Sequence, residues 1–163
     1  VSRRISIEEY KALTGRARDG VRRSRSTEQR HKLALLLFFQ HFEAKGFKYA
    51  GPWRKGMEAT PDLLVSEYPF AREHGRRYRF DIAFLGHNLA VEIQGGRYII
   101  RQSSTGKVLL GGAHHSPEGR RRDMEKQNLA TLLGWRVIEA EWEDIESGAT
   151  AKLVSQLLEV KDE

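Results

Sequence analysis

"RYRFDIAFLGHNLAVEIQGG", residues 77–96, decides the fold of this chain. Two apolar runs flank a short polar break, and each run carries one carboxylate: Asp81 in the first, Glu92 in the second. Aromatic and β-branched residues over 78–84 and 89–95 predict two strands. Leu85-Gly86-His87-Asn88 joins them as a hairpin, and two closures are open. One is a two-residue turn centred on Gly86-His87, with Gly first as a type II′ turn requires. The other is a symmetric four-residue loop closed by Phe84 against Leu89. Both give one register, with Asp81 opposite Glu92 and Arg79 opposite Gln94.

Directly opposed side chains share a face, with Cβ atoms about 5 Å apart. Asp81, Glu92 and Gln94 then point one way. Tyr78, Phe80, Ile82 and Phe84 point the other, with Leu89, Val91 and Ile93, and form a core face. Two like charges placed opposite each other repel, and three resolutions are open. Arginines, Arg79 first, could pair with them; one carboxyl could hold a proton; or a divalent cation could sit between them. Oxygen ligands suit Mg2+ or Mn2+, and the cation accounts best for both carboxylates.

Working outward, "LLVSEYPF" (63–70) and "WRVIEAE" (135–141) read as further strands, and 47–61 as a loop with a short strand at its start. A helix begins at Ser26 or Thr27 and stops at Gly46. Residues 97–113 read as an insertion forming a small hairpin around Ser103–Gly106. Ser116 is a good N-cap, Pro117 suits the first helical position, and Gly134 is a natural stop. A last helix covers about 148–160, and "SIEE" opens a short one at the N-terminus. The expectation is an α/β fold: a mixed sheet of about four strands flanked by helices (26–163), preceded by a basic arm (1–25).

At 163 residues without cysteine, the chain needs neither disulfides nor a thiolate metal site. No run approaches the roughly 18 apolar residues of a membrane span, and no apolar signal core is present, so a cytoplasmic protein is expected. The net charge of +6 is uneven: residues 1–30 hold nine Lys/Arg against four Asp/Glu, leaving +1 for the rest. A basic arm on a nearly neutral body suits a polyanion such as DNA, with RNA not excluded. A solvated tail is the alternative.

An Asp on one strand followed by Glu-x-Lys on the next resembles the PD-(D/E)XK nuclease pattern, here Asp81 and Glu92-Ile93-Gln94 with Gln in place of Lys. "STEQRHKLALLLF" resembles that family's first helix, with Glu28 at the position that borders the site. "GGAHHSPEGRRRDMEKQNLATLLGWRVIEAEWEDI" is similar to the last helix and strand of the very-short-patch-repair-like endonucleases, and closer still to a group of phage-encoded proteins. On that comparison His114, Asp123, Glu125, Lys126 and Asn128 match. The resemblance covers about residues 26–145.

It implies a restriction-endonuclease-like core and an Mg2+- or Mn2+-dependent DNA endonuclease, acting in recombination or repair, in the host cytoplasm if the chain is phage-encoded. Asp81 and Glu92 would be metal ligands, and Glu28 would hold a second metal or a metal-bound water. An ordinary early-helix acid is the other reading of Glu28. His114 would act as general acid or outer ligand, against a merely exposed loop histidine. Gln94 can orient water but is neither cation nor base. A charge must then come from elsewhere, and Lys126 is the first candidate.

Arg120, Arg121 and Arg122 open a helix whose dipole disfavours them, which contact with phosphates would explain; Arg22, Arg23, Arg25 and Arg79 join that set. Trp53 and Trp135 read as partial-core aromatics, and the acids from Glu139 to Glu146 as a surface turned from DNA. Analogy points to structure-selective cleavage, as in a Holliday-junction resolvase, or to nicking; junction resolution would want a homodimer. The alternative is a catalytically inactive nucleic-acid binder on the same fold.

Overall fold

The computed structural model describes residues 27–94, 99–102, 108–111 and 117–159. They fall into two compact units, one built from the sequence ends (1–47 and 142–163) and one from Lys48–Glu141. The end unit holds α1 (Thr27–Glu43), α3 (Trp142–Ser147) and α4 (Ala149–Glu159). Phe38, Phe42, Ile145 and Val154 are buried there. The His31 ring stacks on Trp142 at 3.7 Å, and Arg30 pairs with Glu146 at 2.6 Å. The chain thus turns into a short helix directly after Glu141.

The second unit is α/β. Its five-stranded mixed sheet has the order β1 (Lys48–Pro52), β2 (Leu63–Tyr68), β3 (Phe80–Phe84), β4 (Leu89–Gln94), β7 (Arg136–Glu141). The β2–β3 and β3–β4 pairs are antiparallel; β1–β2 and β4–β7 are parallel. The short strand suspected at the start of 47–61 is therefore a true edge strand. β5 (Ile99–Gln102) and β6 (Val108–Gly111) form a separate antiparallel pair, as the hairpin reading of the insertion expects. Leu63, Val65, Ala83 and Ala90 build a core with Leu129 and Ala130 of α2 (Pro117–Leu132) and with Leu133 just after it. Phe80 stacks on Phe70 at 3.9 Å and meets Trp135 at 4.9 Å. Trp53 and Trp135 are half-buried against this cluster.

The hairpin has the expected register: Phe84 pairs Leu89, Ala83 pairs Ala90, Ile82 pairs Val91. It closes through the four-residue loop, with a 3-10 turn over Leu85–His87 and Asn88 in the left-handed region, which Asn tolerates. Gly86 is there for close approach. A Cβ on it would lie 2.3 Å from Pro61 Cα, so no larger residue fits beneath that backbone.

At the other end of the site, Gly134 (φ 78°) stops α2, with Trp135 N–H donating to Ala130 C=O and Gly134 N–H to Thr131 C=O. Arg136 N–H then donates to Asn88 C=O at 2.8 Å and starts the β4–β7 ladder. These two turns bring α2 back over β4.

Candidate active site

Asp81 and Glu92 stand one step beyond the last ladder pair, Ile82–Val91, on the face shared with Ala83 and Ala90. The register is the one the sequence predicts, and the ladder of paired residues ends just before Asp81 and Glu92. Ile93 N–H, which would otherwise seek a backbone carbonyl across the hairpin, donates to Asp81 Oδ2 at 2.6 Å. A carboxylate in place of a ladder acceptor makes a charge-assisted bond and fixes the Asp81 rotamer.

Glu92 has a different setting. Its side chain is 15% exposed, and Lys126 Nζ lies 2.6 Å from Oε1 as an ion pair. That ammonium is the partner of this buried oxygen among the described residues. Burial pushes the Glu92 carboxyl up to about 7; the Lys126 charge opposes that, while Asp81 and Glu139 add to it. Lys126 reaches Glu92 because it lies one helical turn before Ala130, which is buried in the core under α2. Its ammonium also lies 5.9 Å from the Phe80 ring centroid.

Gln94 ends β4, half-buried, in register with Glu141, and no described side chain engages it. Lys126 thus stands at the carboxylate that Gln94 follows by two residues. Arg79, the first suspected partner of the carboxylates, turns instead to Glu67 at 3.8 Å. Arg120, Arg121 and Arg122 are exposed on the first turns of α2. Glu125 pairs with Arg76 at 2.5 Å. Arg22, Arg23, Arg25 and His114 lie outside the described residues, as does the side chain of Glu28.

The residue missed in the sequence is Glu139. It is the register partner of Glu92 on the parallel neighbour β7, on the same sheet face, and accepts a hydrogen bond from the Gln127 amide. Grouping it with the C-terminal acids hid this; the alternation Val137, Glu139, Glu141 in a strand beside β4 was the available signal.

Among the described residues no three His, Asp or Glu side chains converge as a metal-binding cluster. Mg2+ does not demand one. It keeps several waters and is commonly held by one or two carboxylates together with substrate phosphates. Two carboxylates on one sheet face, the buried one held by Lys126, match such a cation in donor type and charge. Comparison of the chain with protein-family models, curated proteins and solved structures gave no match.

Proposed function

We propose that this chain is a metal-dependent nuclease of the PD-(D/E)XK kind, hydrolysing DNA phosphodiesters on a restriction-endonuclease-like core. The observation that carries the reading is Lys126 at 2.6 Å from Glu92, beside Asp81, in a chain whose Glu-x-Lys position holds Gln94. Asp81 and Glu92 would hold Mg2+ or Mn2+, which supplies charge stabilisation at the phosphate and activates a water. Lys126 contributes a cation that can orient the attacking water or meet the developing negative charge. Gln94 offers its amide to water or phosphate. The exposed Arg120, Arg121 and Arg122 hold backbone phosphates, and recombination or repair intermediates are the substrates such a site suits.

The second reading, a non-catalytic nucleic-acid binder, is favoured by the same ion pair seen the other way. A lysine neutralising Glu92 satisfies the carboxylate without a metal ion.

Cleavage of a labelled four-way junction, linear duplex, single-stranded DNA and RNA, each with Mg2+, Mn2+ or EDTA, separates the two. The nuclease reading expects metal-dependent cutting that Asp81→Asn and Lys126→Ala both abolish. Cutting untouched by Lys126→Ala would remove the lysine from the mechanism. Binding without cutting in any metal would leave the binder.

A further inference from the structure

The segment "REHGRRYR" (72–79) places four arginines within eight residues. Arg72–His74 form a 3-10 turn closed by Gly75 at φ 72°, with Gly75 N–H donating to Arg72 C=O and Arg76 N–H to Ala71 C=O. The chain reverses there, so Arg76, Arg77 and Arg79 return to the cavity that Arg72 also lines. Buried Ala71, and Phe70 stacked on Phe80, anchor the turn to the core. The cavity measures about 440 Å3, within the range of small-ligand sites, and Trp53, Lys55, Glu67 and Pro69 complete its wall.

Its charge is poorly neutralised. Arg76 is taken up by Glu125 at 2.5 Å, and Arg79 has only a distant partner, Glu67 at 3.8 Å. Arg72, Arg77 and Lys55 make no ion pair among the described residues. Several like charges around one concavity repel each other unless an anion enters. Trp53 meets Tyr68 edge-on, 89° between planes, so the indole is braced while it lines the cavity. Glu67 sits at φ 53°, a left-handed conformation that costs a non-glycine residue energy and that clusters at ligand sites.

We infer that this cavity binds one nucleotide of single-stranded DNA, the Arg72 and Arg77 guanidinium groups taking a phosphate and the Trp53 indole the face of a base. Planar guanidinium forks match phosphate oxygens, and an aromatic platform accepts any base. A paired base has its faces covered by stacking neighbours, so the cavity selects unpaired or frayed strands. The inference rests on the proposed nucleic-acid function and narrows its substrate to single-stranded regions. The cavity and the carboxylates share two elements: Arg79 precedes Asp81 by two residues on the way into β3, and Glu125, the partner of Arg76, adjoins Lys126 on α2.

The test is fluorescence anisotropy with the full chain in EDTA, using a labelled eight-nucleotide oligo(dT), the same oligomer without bases, and a duplex of equal length. The full chain should prefer oligo(dT) over duplex and over the abasic strand by about tenfold. Arg72→Ala and Arg77→Ala should each weaken oligo(dT) binding by about tenfold, whereas Lys152→Ala, an equal loss of charge on α4, should change it less than about twofold. Trp53→Leu should remove the preference for bases over the abasic strand, and Trp53→Phe should keep most of it. Equal affinity for duplex and single strand, arginine variants that bind like the unmodified chain, or a base preference that survives Trp53→Leu would each overturn the inference. Adding Mg2+ to the same mixtures reads the nuclease separately. Selective binding without cutting would refute catalysis and leave the cavity standing.

Discussion

At the scale of residues, the two carboxylates differ in what each has to satisfy it. Asp81 is bound to a backbone N–H, and Glu92 is buried against a cation with its carboxyl pushed up to about 7 from 4.5. Between those values the native chain keeps a proton at Glu92 that the unfolded chain has released. Stability contributed by this site is therefore full below about pH 4.5, falls as pH rises to about 7, and then levels. The span is worth roughly 3 kcal/mol at about 1.4 kcal/mol per unit. Urea unfolding of the metal-free protein at pH 5 and pH 8 should show that fall, and Glu92→Gln should flatten it; a variant with the original slope would place the burden elsewhere. Asp81→Asn keeps an acceptor for Ile93 N–H and should cost little stability. Asp81→Ala orphans that donor and should cost about 1–3 kcal/mol, read as a lower midpoint in the same titration. Equal stability of the two variants would mean water satisfies Ile93 in the folded chain.

At the scale of elements, the hairpin β3–β4 sets the carboxylates and α2 delivers the lysine. The hairpin's register was legible because apolar alternation leaves one arrangement that buries Ile82, Phe84, Leu89 and Val91 together. Its turn was not, since either closure preserves that register. Contact between Gly86 and the Pro61 backbone, remote in sequence, goes with the four-residue loop. Gly86→Ala should thus lower stability by about 1–3 kcal/mol through overpacking, with a matching fall in melting temperature, and should disturb Asp81 and Glu92 through the hairpin. A variant as stable as the unmodified chain would show that the loop yields freely. The helix α2 was legible at both ends, from Pro117 and Gly134. Which of its residues would face β4 depended on how the helix lies on the sheet, and Ala130 in the core is what orients Lys126.

At the scale of the whole molecule, the charge is divided in a way that the contrast of arm and body conceals. The sheet unit, 48–141, carries fifteen Lys/Arg against eleven Asp/Glu, and the end unit thirteen against eleven, eight of its cations lying in residues 1–25. The body's near-neutrality is therefore an average of a basic sheet unit and an acidic helical remainder. Deleting residues 1–25 should weaken DNA binding and reduce the slope of affinity against salt without abolishing either, because cations of 48–141 remain. Binding measured from about 50 to 200 mM salt checks this, and total loss would make the arm the sole contact. Among the described residues no helix is long and apolar enough to cross a membrane.

Local chemistry determined the strands flanking residues 85–88, the helix between Pro117 and Gly134, and the placing of Asp81 and Glu92 on one face, because alternation, caps and turn residues act over a few positions. The tertiary structure alone decided that Ile93 takes Asp81, that Lys126 takes Glu92, that Glu139 stands beside them, and that Trp53 joins the arginines of 72–79 around one cavity. Each of these depends on where a distant element lies against β3 and β4, and that is set by the packing of the core as a whole.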